Sequence, residues 1–458
     1  MSDKPWGGDV VSLVDAFRAG ERHPREEVAA TLAAVESDPL NTVCHVDAEA
    51  ALAAAEHADV ALPFGGVPLA VKELLTVAGW PDTEASVALA DRVATADSIP
   101  VERLRAGGAI PTVQTTSSEF GGVNQTTTKL HGVTRNPWGP DRTPGGSSGG
   151  SAAGVAAGLF ALASASDGGG SIRIPAGFCG LVGLKPTYGR VPKGPQIGNL
   201  TAVEGCVSRS VRDTARWLDV TNGFDRRDPF SLPRVDDYEA RLGEGIAGLA
   251  SLRVAIVPDL GCAVVAPETE EIVVAAAEAL IAAMGATRVD IELRLPNIMG
   301  AWGLTGGIGI RKELGDRWPD CAGDLTSMMR EGVVRAEKRI DLSSMVKAET
   351  RRQELNVAMA EMFDRVDLVL AATNPSTAFD AEGHLPSLFG GRESNPGNNG
   401  ALTAPSNIYG NAAISLPAGL ASDGLPVGLQ VVAPHHAERV LLDTGLVWER
   451  TQPWPLTA

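Results

Sequence analysis

Two serines lie in settings that could support acyl chemistry, Ser147 within Gly-Gly-Ser-Ser-Gly-Gly and Ser171 within Gly-Gly-Gly-Ser-Ile-Arg. An Ala/Gly/Leu-rich run of helical length separates them, so two small loops bracket one packed element. Glycine tolerates positive φ and leaves backbone N–H groups uncovered, and a Gly-Gly-Gly-Ser loop can therefore aim several donors at one point. A developing oxyanion needs such a group of donors. A serine hydroxyl also needs a base to take its proton. Histidine is the usual one, and His23, His45, His57, His131, His384, His435 and His436 are present. A Ser…Asp…His order from Ser147 to His435 or His436 is formally open, although that pair opens the last helical stretch and reads as solvated. The other base is lysine. Lys72 closes the apolar, strand-like run Val67-Pro-Leu-Ala-Val-Lys72, where burial would penalise its charged form. By spacing alone, a lysine pointing outward from a strand edge is the simpler reading.

Other readings of the glycines fare less well. A flexible linker conflicts with the apolar flank of Ile172, Ile174, Phe178, Leu181, Val182 and Leu184. A phosphate-binding P-loop would need Gly-Lys-Ser or Gly-Lys-Thr after the glycines. Gly145, Ser147 and Gly149 do satisfy the G-x-S-x-G nucleophile elbow, but in a chain with 52 glycines so short a pattern arises by chance.

The whole stretch 143–190 resembles the amidase signature enzymes. It carries Gly-Gly-Ser-Ser-Gly-Gly-Ser, then an Ala-rich run, then the family's Asp-x-Gly-Gly-Ser-Ile-Arg-x-Pro as Asp167 to Pro175, then Gly183-Leu-Lys-Pro-Thr-Tyr-Gly-Arg190. Upstream, Gly66-Val-Pro-Leu-Ala-Val-Lys72 is similar to the family's Gly-Val-Pro-x-x-x-Lys-Asp, with Glu73 in place of the aspartate. Gly205 to Asp213, Asn411 to Gly419 and Asp423 to Gln430 match as well. The resemblance is strong over 60–220, clear over 405–450 and absent from 290–365. Where the family usually has Lys-Thr-Asn-x-x-Glu-Phe, this chain has Gln114 and Thr116 in place of the lysine and asparagine, so substrate contacts from those side chains do not carry over.

The resemblance implies an amidohydrolase that cleaves the C–N bond of a small amide through an acyl-enzyme, with carbamates, aryl amides, ureas and esters within reach of the same chemistry. It implies Ser171 as nucleophile, Ser147 as a bridging serine on a cis peptide bond, and Lys72 as general base. The backbone N–H groups of Gly168, Gly169, Gly170 and Ser171 would form the oxyanion hole. Ser148 and Ser151 would support the site or cap a helix, and Asp167 and Arg173 would hold the loop through one another. No metal or organic cofactor is expected. A catalytic subunit of a glutamine-dependent amidotransferase complex is the alternative with the same chemistry, and a non-catalytic protein that binds an anion or other ligand is the alternative of another class.

The elements that must position these residues follow from periodicity. Residues 8–20 and 25–37 have helical spacing and read as a hairpin laid on the core, 41–46 as a strand and 48–60 as an Ala-rich helix. Further on come a helix at 101–106, a strand at 110–115, a helix at 214–221, a buried strand at 252–258, an amphipathic helix at 267–284 and a buried strand at 366–372. Residues 290–365 are mostly helical in pattern; Met299, Trp302, Leu304 and Ile308 there read first as core and second as pocket wall. A Gly/Asn/Pro-rich loop spans 385–406, and a strand and final helix close the chain. The expected fold is α/β, one large domain over 1–458 with a mixed, mostly parallel twisted sheet covered by helices on both faces. Within it, 60–220 would be the signature core and 290–400 a variable helical and loop region shaping the pocket.

Composition narrows the partners. A formal net charge of −17 argues against nucleic acid and anionic membrane. Five scattered cysteines, Cys44, Cys179, Cys206, Cys262 and Cys321, show no C-x-x-C and read as buried free thiols. The N-terminal stretch lacks a basic start followed by an apolar core, and nowhere do eighteen apolar residues run together. A cytoplasmic monomer or homodimer acting on a small molecule is expected.

Overall fold

Side chains along Pro68–Lys72 alternate between two cores. Leu69 and Val71 pack with Phe17, Leu104 and Trp217, whereas Ala70 packs with Val155, Phe160 and Ile172. The same division recurs at Leu162 and Ala163 and at Cys206 and Val207. Because strand side chains point to opposite faces in turn, these strands are covered on both sides.

The computed structural model describes residues 4–194 and 201–458; the first three residues of the N-terminal stretch lie outside that set. One large domain is built on an 11-stranded sheet. Its strands are β1 (Val43–Val46), β2 (Pro68–Lys72), β3 (Ile110–Thr115), β4 (Leu162–Asp167), β5 (Val182–Lys185), β6 (Val203–Ser208), β7 (Arg253–Ile256), β8 (Thr287–Arg288), β9 (Leu368–Ala372), β10 (Ala413–Leu420) and β11 (Pro426–Val432). They lie in the order β1-β3-β2-β4-β6-β5-β10-β11-β9-β7-β8. The sheet is mixed: β3-β2-β4 and β9-β7-β8 pair in parallel, and the pairs from β4 across to β9 are antiparallel. Helices Gly149–Ala156 and Arg173–Cys179 cover one face, and Val211–Thr221, Pro267–Met284 and Glu438–Thr451 pack together against the other.

The expected hairpin is present as Val10–Ala19 and Pro24–Glu36, and 110–115 and 267–284 fold within the predicted bounds. The run between the two serines differs. It is a helix, Gly149–Ala156, followed by strand β4, because Gly158 takes φ +75° and turns the chain into the sheet. Residues 299–365 form three helices, Met299–Leu314, Ser327–Arg339 and Leu342–Arg365, of which the first packs on both others. Among the described residues, no helix is long and apolar enough to cross a membrane. All five cysteines are free; Cys179, Cys206 and Cys321 are buried, while Cys44 and Cys262 are only half-buried.

Candidate active site

Lys72 ends a central strand and is fully buried. Its backbone N–H donates to Ser164 Oγ at 2.8 Å, which ties β2 to β4 at the point where the side chain leaves the sheet. Nζ then meets three hydroxyls, Ser147 Oγ at 2.7 Å, Ser148 Oγ at 2.8 Å and Ser166 Oγ at 2.9 Å. Among the described residues, no carboxylate pairs with it. Burial, with a small push from Lys193, therefore lowers the ammonium pKa to about 7 against the distant pull of Glu204 and Asp167. The outward-pointing reading of this lysine fails.

Ser147 follows a cis Gly146–Ser147 peptide and precedes the helix Gly149–Ala156. Thr126 Oγ1 donates to Gly145 O at 2.8 Å and lies where a side chain on Gly149 would project, so the backbone can approach only as glycine. No strand leads into this turn, and the nucleophile-elbow reading of Gly145, Ser147 and Gly149 falls with it.

Ser171 stands at the far end of β4, after three glycines. Asp167 and Arg173 pair across its loop: the guanidinium donates from Nε to Asp167 Oδ2 at 2.9 Å and from Nη2 to Oδ1 at 3.1 Å, with both side chains inaccessible. Burial alone would raise the Asp167 pKa, but Arg173 and the hydrogen bonds from Arg173 and Asn407 outweigh it and hold it at about 2. Arg173 also reaches Gln430 Oε1 at 2.6 Å and Asn407 Oδ1 at 2.7 Å, so the C-terminal segment closes the network. Truncating Arg173 to alanine would leave a buried carboxylate unpaired. A loss of about 3–5 kcal/mol is expected, read from the denaturation midpoint in urea.

The glycine donors do not all aim alike. The Gly170 N–H donates to Asp167 Oδ1 at 2.6 Å, and this corrects the expectation that it serves an oxyanion. Its φ of +133° and the Thr403 side chain beside it require glycine there. The carbonyls of Gly168 and Gly169 accept from Trp302 Nε1 at 3.0 Å and Thr403 Oγ1 at 2.7 Å.

A cavity of about 690 Å³ opens over these groups, with Ser147, Ser166, Gly168 and Ser171 in its lining. Met299, Trp302 and Leu304 form part of its wall together with Phe120, while Met299 and Trp302 also pack against the main core, so both readings apply to those two; Ile308 is not part of the lining. Their helix lies beside the sheet rather than on it, so one face stays open. Among the described residues, no histidine lines this cavity. His435 pairs with Tyr409 O at 2.8 Å and His436 with Arg190 at 3.1 Å, so neither serves Ser147. Gln114 and Thr116 are buried and bonded to Pro81 O and Thr134 Oγ1, away from the lining. Sequence reasoning passes over Ser166; the signal that could have found it is Ser164 and Ser166 together, two hydroxyls alternating with apolar residues in a buried strand that ends in Asp167.

The Amidase family model matches residues 26–308 and 312–442. The chain is similar to a glutamyl-tRNA(Gln) amidotransferase subunit from Akkermansia muciniphila, with 35% identity over 96% of this chain and 98% of that one. It is 33% identical to an acylamidase of Rhodococcus erythropolis, over 86% of this chain and 82% of that one. The solved structure of a bacterial aryl acylamidase of the amidase signature family superposes with a TM-score of 0.90 at 29% identity, covering 98% of this chain and 97% of the other. With the family model matched along nearly its whole length, this chain belongs to the amidase signature family.

Proposed function

We propose that the protein is an amidohydrolase that cleaves a small amide through an acyl-enzyme on Ser171, with Ser147 and Lys72 moving the proton. The observation that carries this reading is the 2.7 Å contact between the buried Lys72 Nζ and Ser147 Oγ, at a cavity that Ser171 shares. A neutral amine there can accept the Ser147 proton as Ser147 accepts that of Ser171. Ser171 Oγ bonds to the carbonyl carbon, and the N–H groups of Gly168, Gly169 and Ser171 stabilise the oxyanion. Collapse expels the amine, which takes its proton back along the relay. Water then attacks the ester by the same route and releases the acid.

The apolar wall of Phe120, Met299, Trp302 and Leu304 supports an uncharged acyl or aryl group as the part of the substrate it holds. The relatives that act as acylamidases support the same class. Carbamates, aryl amides and esters present the same carbonyl. Release of nitroaniline from acyl nitroanilides of increasing chain length, beside a nitrophenyl carbamate, tests the reading. No release from any of them would overturn it.

Gly303 and Gly306 give the pocket length, since each lies in the cavity lining with open space where a side chain would stand. Gly303→Leu should lower kcat/KM for the longest acyl chain by about 10-fold or more and leave the shortest nearly unchanged. Equal loss across the series would show that this wall does not set chain length.

A second reading is favoured by the amidotransferase relative: the chain would supply ammonia from glutamine to a partner protein. Glutamine hydrolysis, with no turnover of the anilides, would select it.

A further inference from the structure

One residue beyond Lys72, three metal-ligating side chains from distant parts of the chain converge. One ligand atom each from Cys44, Glu73 and His131 lie within 4.8 Å of one another. Cys44 comes from β1, Glu73 follows β2, and His131 lies in the turn between the short strands Thr127–Thr128 and Gly132–Val133. Their separations in sequence form no recognisable motif, which is why the sequence points to no metal.

The Glu73 carboxylate is only 1% exposed, yet its two oxygens are used very unequally. Oε1 accepts from Thr83 Oγ1, from the Ala85 N–H at 3.2 Å and pairs with His131 Nε2 at 2.8 Å. Oε2 has no hydrogen-bond partner among the described residues. An unpartnered carboxylate oxygen in a buried position is costly, and it needs an explanation. The contact with His131 accounts for Oε1 alone. Cys44 Sγ donates weakly to Gln114 O at 3.5 Å and lies 3.9 Å from Gln114 Oε1, so a neutral oxygen stands within reach as a further donor.

We propose that Cys44, Glu73 and His131 form a binding site for one divalent transition-metal ion of the zinc type. Thiolate, imidazole and carboxylate are the donors such an ion takes, in a tetrahedral set completed by water or the Gln114 amide oxygen. Thr83 and Ala85 hold the carboxylate from behind, as outer partners do at metal sites. On binding, the metal–sulfur bond forms as the thiol proton leaves to solvent. His131 shifts its ring proton to Nδ1 and offers Nε2, and the thiolate and carboxylate neutralise the ion. The His131 side chain is 18% exposed and Cys44 is half-buried, which gives the ion a path from the surface.

Titrating the full chain with Co²⁺ tests this. A near-ultraviolet thiolate-to-cobalt band should appear, saturate at one ion per chain, release one proton per ion and vanish on adding Zn²⁺. Cys44→Ser should abolish the band, and His131→Gln should weaken Zn²⁺ binding at least about tenfold, each in protein with an unchanged near-UV spectrum before metal. Ser171→Ala should keep both signals, which separates this site from the proposed hydrolytic one. Absence of a saturable band in the folded protein, or Zn²⁺ affinity unchanged in His131→Gln, would overturn the proposal. A band that survives Cys44→Ser would also overturn it.

Discussion

Ser171→Ala should reduce hydrolysis of every acyl nitroanilide by about 10⁴-fold or more, while the urea midpoint stays close to that of the parent protein. The substitution removes only a hydroxyl, and among the described residues Ser171 Oγ makes no hydrogen bond that the Asp167 and Arg173 network depends on. The loop should therefore keep its shape. What is lost is the atom that would carry the acyl group. A folded Ser171→Ala variant with near-normal rates would sink the assignment. Ligand binding that survives the change in a parent protein with no hydrolytic activity would favour the non-catalytic reading instead. Mass analysis of the parent protein, quenched during turnover of the nitrophenyl carbamate, should place the acyl group on the peptide containing Ser171.

The second large effect is on pH. Lys72 has a pKa near 7, and below that value its amine is protonated and cannot take a proton from Ser147. Activity should then rise through about pH 7 and level off above it, with about one-hundredth of the plateau left at pH 5. Lys72→Ala should lose most of the plateau rate, because it removes the amine that Ser147 Oγ meets at 2.7 Å. Lys185 provides the control. It is buried with a pKa also near 7, from burial and then the adjacent Arg173, but among the described residues its amine bonds only to Pro186 O, at 2.9 Å. Lys185→Met should keep the same rising limb. A profile flat from pH 5 to 10, measured where chemistry limits the rate, would argue against Lys72 as the base.

These tests rest on residues that the sequence exposed to very different degrees. The two glycine-flanked serines and the Asp167 to Pro175 pattern are contiguous, so local composition sufficed to find them. Lys72 was harder, because a lysine at the end of an apolar run can point either way. Only the pairing of β2 between β3 and β4 decides that it points inward. Ser166 and Asn407 carry contacts no less direct, to Lys72 and to Asp167 and Arg173, but as common polar residues they are marked by partners rather than by their own neighbours in sequence. Gly170 shows the converse. Its motif suggested an oxyanion donor, and three-dimensional packing turned its N–H toward Asp167.

Element type and family membership were legible because periodicity and motif are properties of short segments. The buried strand at 366–372 is a mostly apolar run, and a run of that kind needs no knowledge of its neighbours to be read. Strand order, the open face of the Met299–Leu314 helix and the meeting of Cys44, Glu73 and His131 depend on contacts between residues far apart in the chain. Such contacts are fixed by how whole elements pack, and no local pattern encodes them. The amino-acid sequence by itself determined the serine-bearing loops and the family; the tertiary structure alone decided that Lys72 is dry, because only packing from both faces of the sheet removes its water.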